Sequence, residues 1–246
     1  MAYTSTEQQD HQVEKPKRYR FQDYLSEFVY GGIDGSISTF AVVAGASGAE
    51  LGSAVIIILG FANLFADGLS MSVGSYLSSK AAQDNYEKHK RQEHWEVTHT
   101  PEEERAEIQD IYRSMGFKGE LLEQVTDQIT ANHNRWVEVM MKEELGMIKE
   151  TRHPLAIGAA TLVSFIGIGL IPLLSYVYYY IIQTAPTHAF GIAGLLTSLA
   201  FIVVGWLKAS VTQTSHLRAI GETLLLGGIA AALAYWVGDV LEKIIR

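Results

Sequence analysis

The chain has 246 residues and no cysteine, which excludes disulfides and thiolate metal sites. A formal net charge of −8 argues against nucleic acid as a partner. Hydrophobic residues make up 48% and charged residues 19%, values a soluble protein also shows, but here they segregate into apolar blocks and polar stretches, which a soluble fold would not do.

Residues 1–26 are polar and carry a basic cluster, Lys15-Pro16-Lys17-Arg18-Tyr19-Arg20, with no sign of a cleavable signal peptide. A disordered cytosolic tail is expected there. Apolar blocks follow at about 28–48, 52–78, 155–182, 189–209 and 219–240, each near the roughly 20 residues that a spanning helix needs. The predicted fold is an all-α integral membrane protein with five transmembrane helices. It divides into the tail 1–26, spans 1 and 2 in 27–78, a helical insert in 79–154, and spans 3 to 5 in 155–246.

Span 1 contains the run Gly31-Gly32-Ile33-Asp34-Gly35-Ser36-Ile37-Ser38-Thr39-Phe40. A charge such as Asp34 at bilayer depth costs about 2.5–3.5 kcal/mol on insertion scales, so it points to an ion or proton path or to a counter-ion. Span 2 adds Asp67, with Met71 one helical turn later. Two acids and a thioether at membrane depth suggest cation handling. Both spans are rich in Gly and Ser, which suits close helix packing in lipid.

The insert is acidic and favours helix. The helix of span 2 is expected to run on through Trp95, because Ser78 to Trp95 has neither Pro nor Gly. Thr100-Pro101-Glu102-Glu103 reads as a helix start with a Thr100 cap, and Gly116 as its end. Further helices are predicted from about Gly119 to Asn132 and from Asn134 to Lys149. Glu93 with Glu96 and Glu104 with Glu107 are i,i+3 pairs, and Met140 and Met141 stand four and three residues before Glu144. Carboxylates gathered from several helices can hold a divalent cation, with methionine as a softer ligand. The same spacing also fits a solvated helix start favoured by the macrodipole, as in Glu102-Glu103-Glu104. Glu96-x-x-His99 matches half of a di-iron motif without a second half, so His89, His94 and His99 read as surface histidines. Trp95 and Trp136 are expected to pack the core of the insert.

Span 3 contains Pro172, a tolerated kink, and ends in Tyr176 and Tyr178 to Tyr180, read as an interfacial aromatic belt. Glu222, Asp239 and Glu242 fall near interfaces. Lys and Arg are absent from the 1–2 and 3–4 connections and concentrated in the tail, the insert and the 4–5 loop (Lys208, Arg218). The positive-inside rule therefore places the N-terminus, the insert and the 4–5 loop in the cytoplasm and Glu242 to Arg246 on the far side, where Lys243 and Arg246 run against the rule.

Three stretches resemble the vacuolar iron transporter family. They are Asp34-Gly35 followed by Phe-Ala-x-x-Ala-Gly-x-Ser-Gly-Ala from Phe40 to Ala49, the segment Leu69 to Lys80, and Met140-Met141-Lys142-Glu143-Glu144-Leu145-Gly146. The resemblance covers nearly all of the chain beyond residue 22. It implies export of Fe2+, and often Mn2+, from the cytosol in exchange for protons, by a homodimer with its pathway between the copies of spans 1 and 2. It implies that Asp34 and Met71 line that pathway. It also implies a metal-binding domain whose ligands are Glu93, Glu96, Glu104, Glu107 and Glu144, with Met140 and Met141 beside them. The bound or transported ion would be Fe2+, with Mn2+, Co2+ or Zn2+ as further candidates, and no cofactor would be permanently bound. The membrane would be the plasma membrane of a bacterium or the vacuolar membrane of a eukaryote.

One departure stands out. Where plant members have a span 2 glutamate, this chain has Asn63, and Asn63, Asp67 and Met71 form an i, i+4, i+8 stripe. Either the acid has moved one turn along the same wall, or Asp67 makes a structural contact with a neighbouring helix. A thioether binds Fe2+ weakly enough to release it and offers little to Ca2+. Two apposed Asp34 carboxylates would repel, so a proton could take the site when metal leaves. The competing reading is a membrane-tethered metal sensor or buffer, which has no use for intramembrane acids. No His-Glu-x-x-His, Gly-x-Ser-x-Gly or protease-type aspartate motif suggests an enzyme. Metal affinity of the insert is expected to fall as pH drops toward ordinary carboxylate values of about 4.

Overall fold

The computed structural model describes residues 21–183 and 188–245; the tail through Arg20 with its basic cluster, residues 184–187 of the 3–4 connection, and Arg246 lie outside them. Helix α1 (Leu25–Gly48) follows a 3-10 turn at Phe21–Tyr24. Helix α2 (Ser53–His99) is unbroken over 47 residues, about 70 Å at 1.5 Å per residue. It contains no proline, and it stops where Pro101 drives Thr100 out of the helical region to φ −127. The insert continues with α3 (Pro101–Ser114), α4 (Gly119–Thr130) and α5 (His133–Val139), which opens into a π-helical turn at Met140–Glu144. Span 3 is α6 (Pro154–Gly169), a 3-10 turn at Ile171–Leu173 and α7 (Leu174–Ile181). Spans 4 and 5 are α8 (Ala189–Thr212) and α9 (His216–Ile245). Five stretches are thus long and apolar enough to cross a membrane, the α2 stretch with its first half, and no strand occurs among the described residues.

Helix α1 lies at the centre, packed against α6, α9, α2 and α8. The approach requires glycine at two points. A Cβ on Gly35 would stand 2.5 Å from the Phe165 carbonyl oxygen of α6, and one on Gly238 would stand 2.0 Å from the Gly45 carbonyl oxygen of α1. Four buried hydroxyls in the spans return to their own helix: Ser36 donates to Gly32 O, Thr161 to Ile157 O, Thr197 to Ala193 O and Thr223 to Ala219 O. No polar group of theirs is left facing lipid. Ser72 Oγ donates to Gly158 O at 2.8 Å and ties α2 to α6. One apolar core joins Val43, Ile56, Leu173 and Ala193 in the membrane; a second joins Val97, Ile108, Ile129, Trp136, Val137, Met140 and Met141 in the insert.

Several local expectations are corrected. The last insert helix ends at Glu144 and not at Lys149: the π turn widens the backbone, and Gly146 at φ +62 closes it. Thr100 precedes α3 without capping it, since its hydroxyl donates backward to Glu96 O and closes α2. Trp136 is buried in the insert core, but Trp95 is 56% exposed and stacks on His99. Tyr176 faces inward and hydrogen-bonds Ser47 at 2.7 Å, while Tyr178 and Tyr180 are exposed as a belt requires. Pro172 sits in the 3-10 turn and divides span 3 into two helices, a stronger break than a kink. Glu222 is paired with Lys208 and Arg218, and Asp239 with Lys243.

Candidate metal site and transmembrane polar face

On the membrane side, Asp34 of α1 and Asp67 of α2 are both exposed in the single chain, and the two carboxylates are close enough for their charges to interact. Asn63 and Met71 are half-buried on the same stripe of α2. Asn63 Nδ2 donates to Asp67 Oδ2, while Asn63 Oδ1 is buried without a partner. Asp67 is therefore held by its own helix. Around this polar stripe α2 shows bare apolar side chains, including Ile58, Phe65, Leu69 and Val73.

In the insert, α2, α3 and the π turn bring the acidic residues together. Glu93 is 3% exposed and Glu104 is 6% exposed, and each has a buried Oε2 without a hydrogen-bond partner. Unpartnered buried carboxylate oxygens are costly when ionised, a cost that a proton or a bound cation would offset. Burial pushes the Glu93 carboxyl up to about 7, reinforced by the charges of Glu144, Glu96 and Glu107. Burial pushes Glu104 up to about 7 as well, with Glu107, Glu93, Glu96 and Glu144 adding to it. Glu107 and Glu144 are exposed at the rim of this cluster, and partial desolvation first and the neighbouring carboxylates second raise both. Met140 and Met141 are buried in the adjoining core. Glu102 and Glu103 are exposed, so the acidic run at the start of α3 divides between solvent and site.

The five carboxylates share one field, yet among the described residues no three His, Asp or Glu side chains are drawn close enough to hold a single ion. A divalent charge among them would offset their mutual repulsion. With Glu93 and Glu104 pushed up to about 7, protons are expected to compete with a cation here from near 7, above the value of about 4 that ordinary carboxylates would give.

The histidines do other things. His99 Nδ1 lies 2.8 Å from Trp95 O, within its own helix, and its ring stacks on Trp95. His94 and His133 meet with Nδ1 atoms 3.2 Å apart, and His133 Nε2 lies 3.1 Å from the Thr98 hydroxyl, which itself donates to His94 O. Spacing gave no signal for His133, which reaches His94 from a different helix.

Substituting Glu104 and Glu107 together is expected to weaken Co2+ binding to the full chain by at least about tenfold, roughly 1.4 kcal/mol. The same treatment of Glu102 and Glu103 should change it by less than about twofold. Calorimetry on an Asp34→Ala background isolates the insert. Equal losses for the two pairs would reduce the site to general acidity.

The sequence pattern of the VIT family matches residues 25–239. Over 230 residues the chain is 32% identical to the vacuolar iron transporter of Toxoplasma gondii, covering 91% of this chain and 76% of that protein. It is 32% identical to the vacuolar iron transporter of Plasmodium falciparum over 228 residues, 90% and 84% of the two chains. It is 30% identical to vacuolar iron transporter 1 of Arabidopsis thaliana over 234 residues, 95% and 91% of the two chains. With its five apolar helices and a family match over most of its length, the chain is a multi-pass integral membrane protein that belongs to the VIT family.

Proposed function

We propose that the protein moves Fe2+, and Mn2+ with it, out of the cytosol in exchange for protons, through a pathway between two copies of α1 and α2. The observation that carries this reading is the open polar stripe of Asp34, Asp67 and Met71 at bilayer depth. In a single chain these acids and the apolar side chains around them share one uncovered face. Lipid suits the apolar groups but not the carboxylates. A second copy applied to that face would bring two Asp34 carboxylates toward each other and enclose a route lined by oxygen and sulfur. Such a lining replaces part of the water shell that a divalent ion loses. The insert, on the cytosolic side, would collect metal through Glu93, Glu96, Glu104, Glu107 and Glu144 and deliver it to the mouth. A sensor or buffer would need the insert alone and leaves Asp34 and Asp67 without a role.

Uptake of Fe2+, Mn2+, Co2+, Zn2+ and Ca2+ into proteoliposomes, with and without a pH gradient, tests the reading. Transition-metal uptake that accelerates with the gradient is the expected result, and absence of uptake for all five ions overturns it. Asp67→Asn should slow transport by about tenfold, because it removes a carboxylate from the wall while keeping a partner for Asn63. Moving the acid back with Asn63→Glu and Asp67→Ala should restore part of the rate. Full activity of Asp67→Asn would leave Asp67 a structural group.

A further inference from the structure

At the insert end of the polar face, α1, α2, α6 and the segment returning from the insert border an open cavity of about 420 Å3. Its lining includes Glu27 and Tyr30 of α1, Ser75 and Ser79 of α2, and Glu150 and Arg152 of the return segment. The cavity continues the stripe already described. Glu27, Tyr30 and Asp34 are i, i+3 and i+7 on α1, and Met71, Ser75 and Ser79 are i, i+4 and i+8 on α2. Glu27 therefore lies about 10 Å along α1 from Asp34, toward the insert.

The charges in the cavity are arranged unequally. Arg152 Nη1 donates to Glu27 Oε1 at 2.7 Å and to Asp23 O at 3.3 Å. Its Nε and Nη2 donate to Glu150, the shorter contact being 2.8 Å. Gln83 of α2 donates to the Arg152 and Glu150 carbonyls and fixes the backbone of the return segment. One guanidinium thus serves two carboxylates, and the cavity keeps net negative charge. An anion such as a phosphate headgroup would be repelled. A divalent cation would be attracted, and with six waters it takes roughly 180 Å3, well within the space. Ser79 Oγ, buried and without a partner, and the Ser75 hydroxyl offer neutral oxygens.

We propose that Glu27 is a cation site at the insert-side mouth of the pathway, and that Arg152 is the resident counter-charge which an arriving divalent ion displaces. The inference rests on the transport reading above. Displacement is local: Arg152 keeps Glu150 and Gln83 when it lets go of Glu27, so only the Nη1 contact is exchanged. Arg152 then sets how much metal is needed to open the mouth. A monovalent ion competes poorly with a guanidinium held at 2.7 Å, and a divalent ion competes well, which gives the mouth a preference by charge before Met71 selects by softness.

The test is the concentration dependence of Co2+ uptake into proteoliposomes. Arg152→Gln frees the Glu27 carboxylate and is expected to lower the half-saturating concentration by about fivefold. Glu27→Gln, whose remaining carbonyl oxygen can still accept from Arg152, should raise it by about fivefold or more. The double variant should match Glu27→Gln, because Arg152 acts through Glu27. A half-saturating concentration that rises in Arg152→Gln, or effects that simply add in the double variant, would make Arg152 a tether and overturn the proposal. Should Arg152→Gln fail to fold, Glu27→Gln decides alone, and an unchanged curve overturns it. Wild-type protein that carries no ion overturns the transport reading itself; wild-type protein that transports while Glu27→Gln is unaltered overturns only the mouth site.

Discussion

Asp34→Ala is expected to reduce Fe2+ uptake by about a hundredfold or more, equivalent to about 2.7 kcal/mol on the barrier. Asp34 is the acid at the middle of α1, and its charge meets that of Asp67 on the open face. In the proposed paired assembly the substitution would remove both apposed carboxylates at once, and a partly dehydrated divalent ion would lose its counter-charge there. Folding should be spared. The residues that fit α1 against α6 and α9, Gly35 and Gly48 among them, face away from this side chain, and Asp34 is exposed in the single chain. Uptake is measured beside size-exclusion profiles of the same preparations. Wild-type uptake by a well-folded Asp34→Ala protein would remove α1 from the pathway.

The second large effect is the pH dependence of metal binding in the insert. Glu93 and Glu104, each pushed up to about 7, must lose their protons before they can ligate. A group with that value is mostly ionised at pH 8 and mostly protonated at pH 6, so its share of the affinity falls about tenfold over that interval. Two such groups give a fall of about a hundredfold. Unperturbed glutamates near 4.3 would leave the affinity flat over the same range. The stability of metal-free protein should run in the opposite sense. A carboxyl whose folded value is raised opposes folding when ionised, so the insert gains stability as pH falls through 7 toward the ordinary glutamate range. Co2+ calorimetry at pH 6, 7 and 8 on the Asp34→Ala background reads the first effect, and thermal melts without metal read the second. Affinity that does not change between pH 8 and pH 6 would mean that Glu93 and Glu104 are not ligands.

The spans and the long α2 were legible because both rest on chain-local physics: about twenty apolar residues in a row, and a stretch without proline. The ends of the insert helices were less so. The π turn at Met140–Glu144 has no sequence signal comparable to a Gly or Pro stop, and its consequence is that two consecutive methionines are both buried. The acidic site shows the same limit. Spacing could not separate Glu104 from Glu102 and Glu103; burial against α2 and the π turn separates them, and that depends on residues distant in sequence. Trp95 could have been placed by period. Glu93 and Val97, four apart, mark the buried face of α2, and Trp95 stands two residues from each, on the far side. The Glu27–Arg152 pair joins positions 125 apart, and no local pattern in the sequence points to it.

Helix α2 joins the membrane stripe to the acidic site without a joint, and this fixes their angular phase. Met71 and Glu93 are separated by 22 steps, about 33 Å of rise and six turns plus roughly 40°. One residue added between them would twist the acids by about 100° relative to the thioether and lengthen the rod by about 1.5 Å. Torsion in this rod is resisted at every hydrogen bond, so the insert cannot swivel independently of span 2. Any roll of span 2 about its axis sweeps Glu93 and Glu96 past α3 through the same angle. Changes of length in this rod are therefore tolerated only in near-whole turns, about 7, 11 or 18 residues, as in the gearing of a coiled coil.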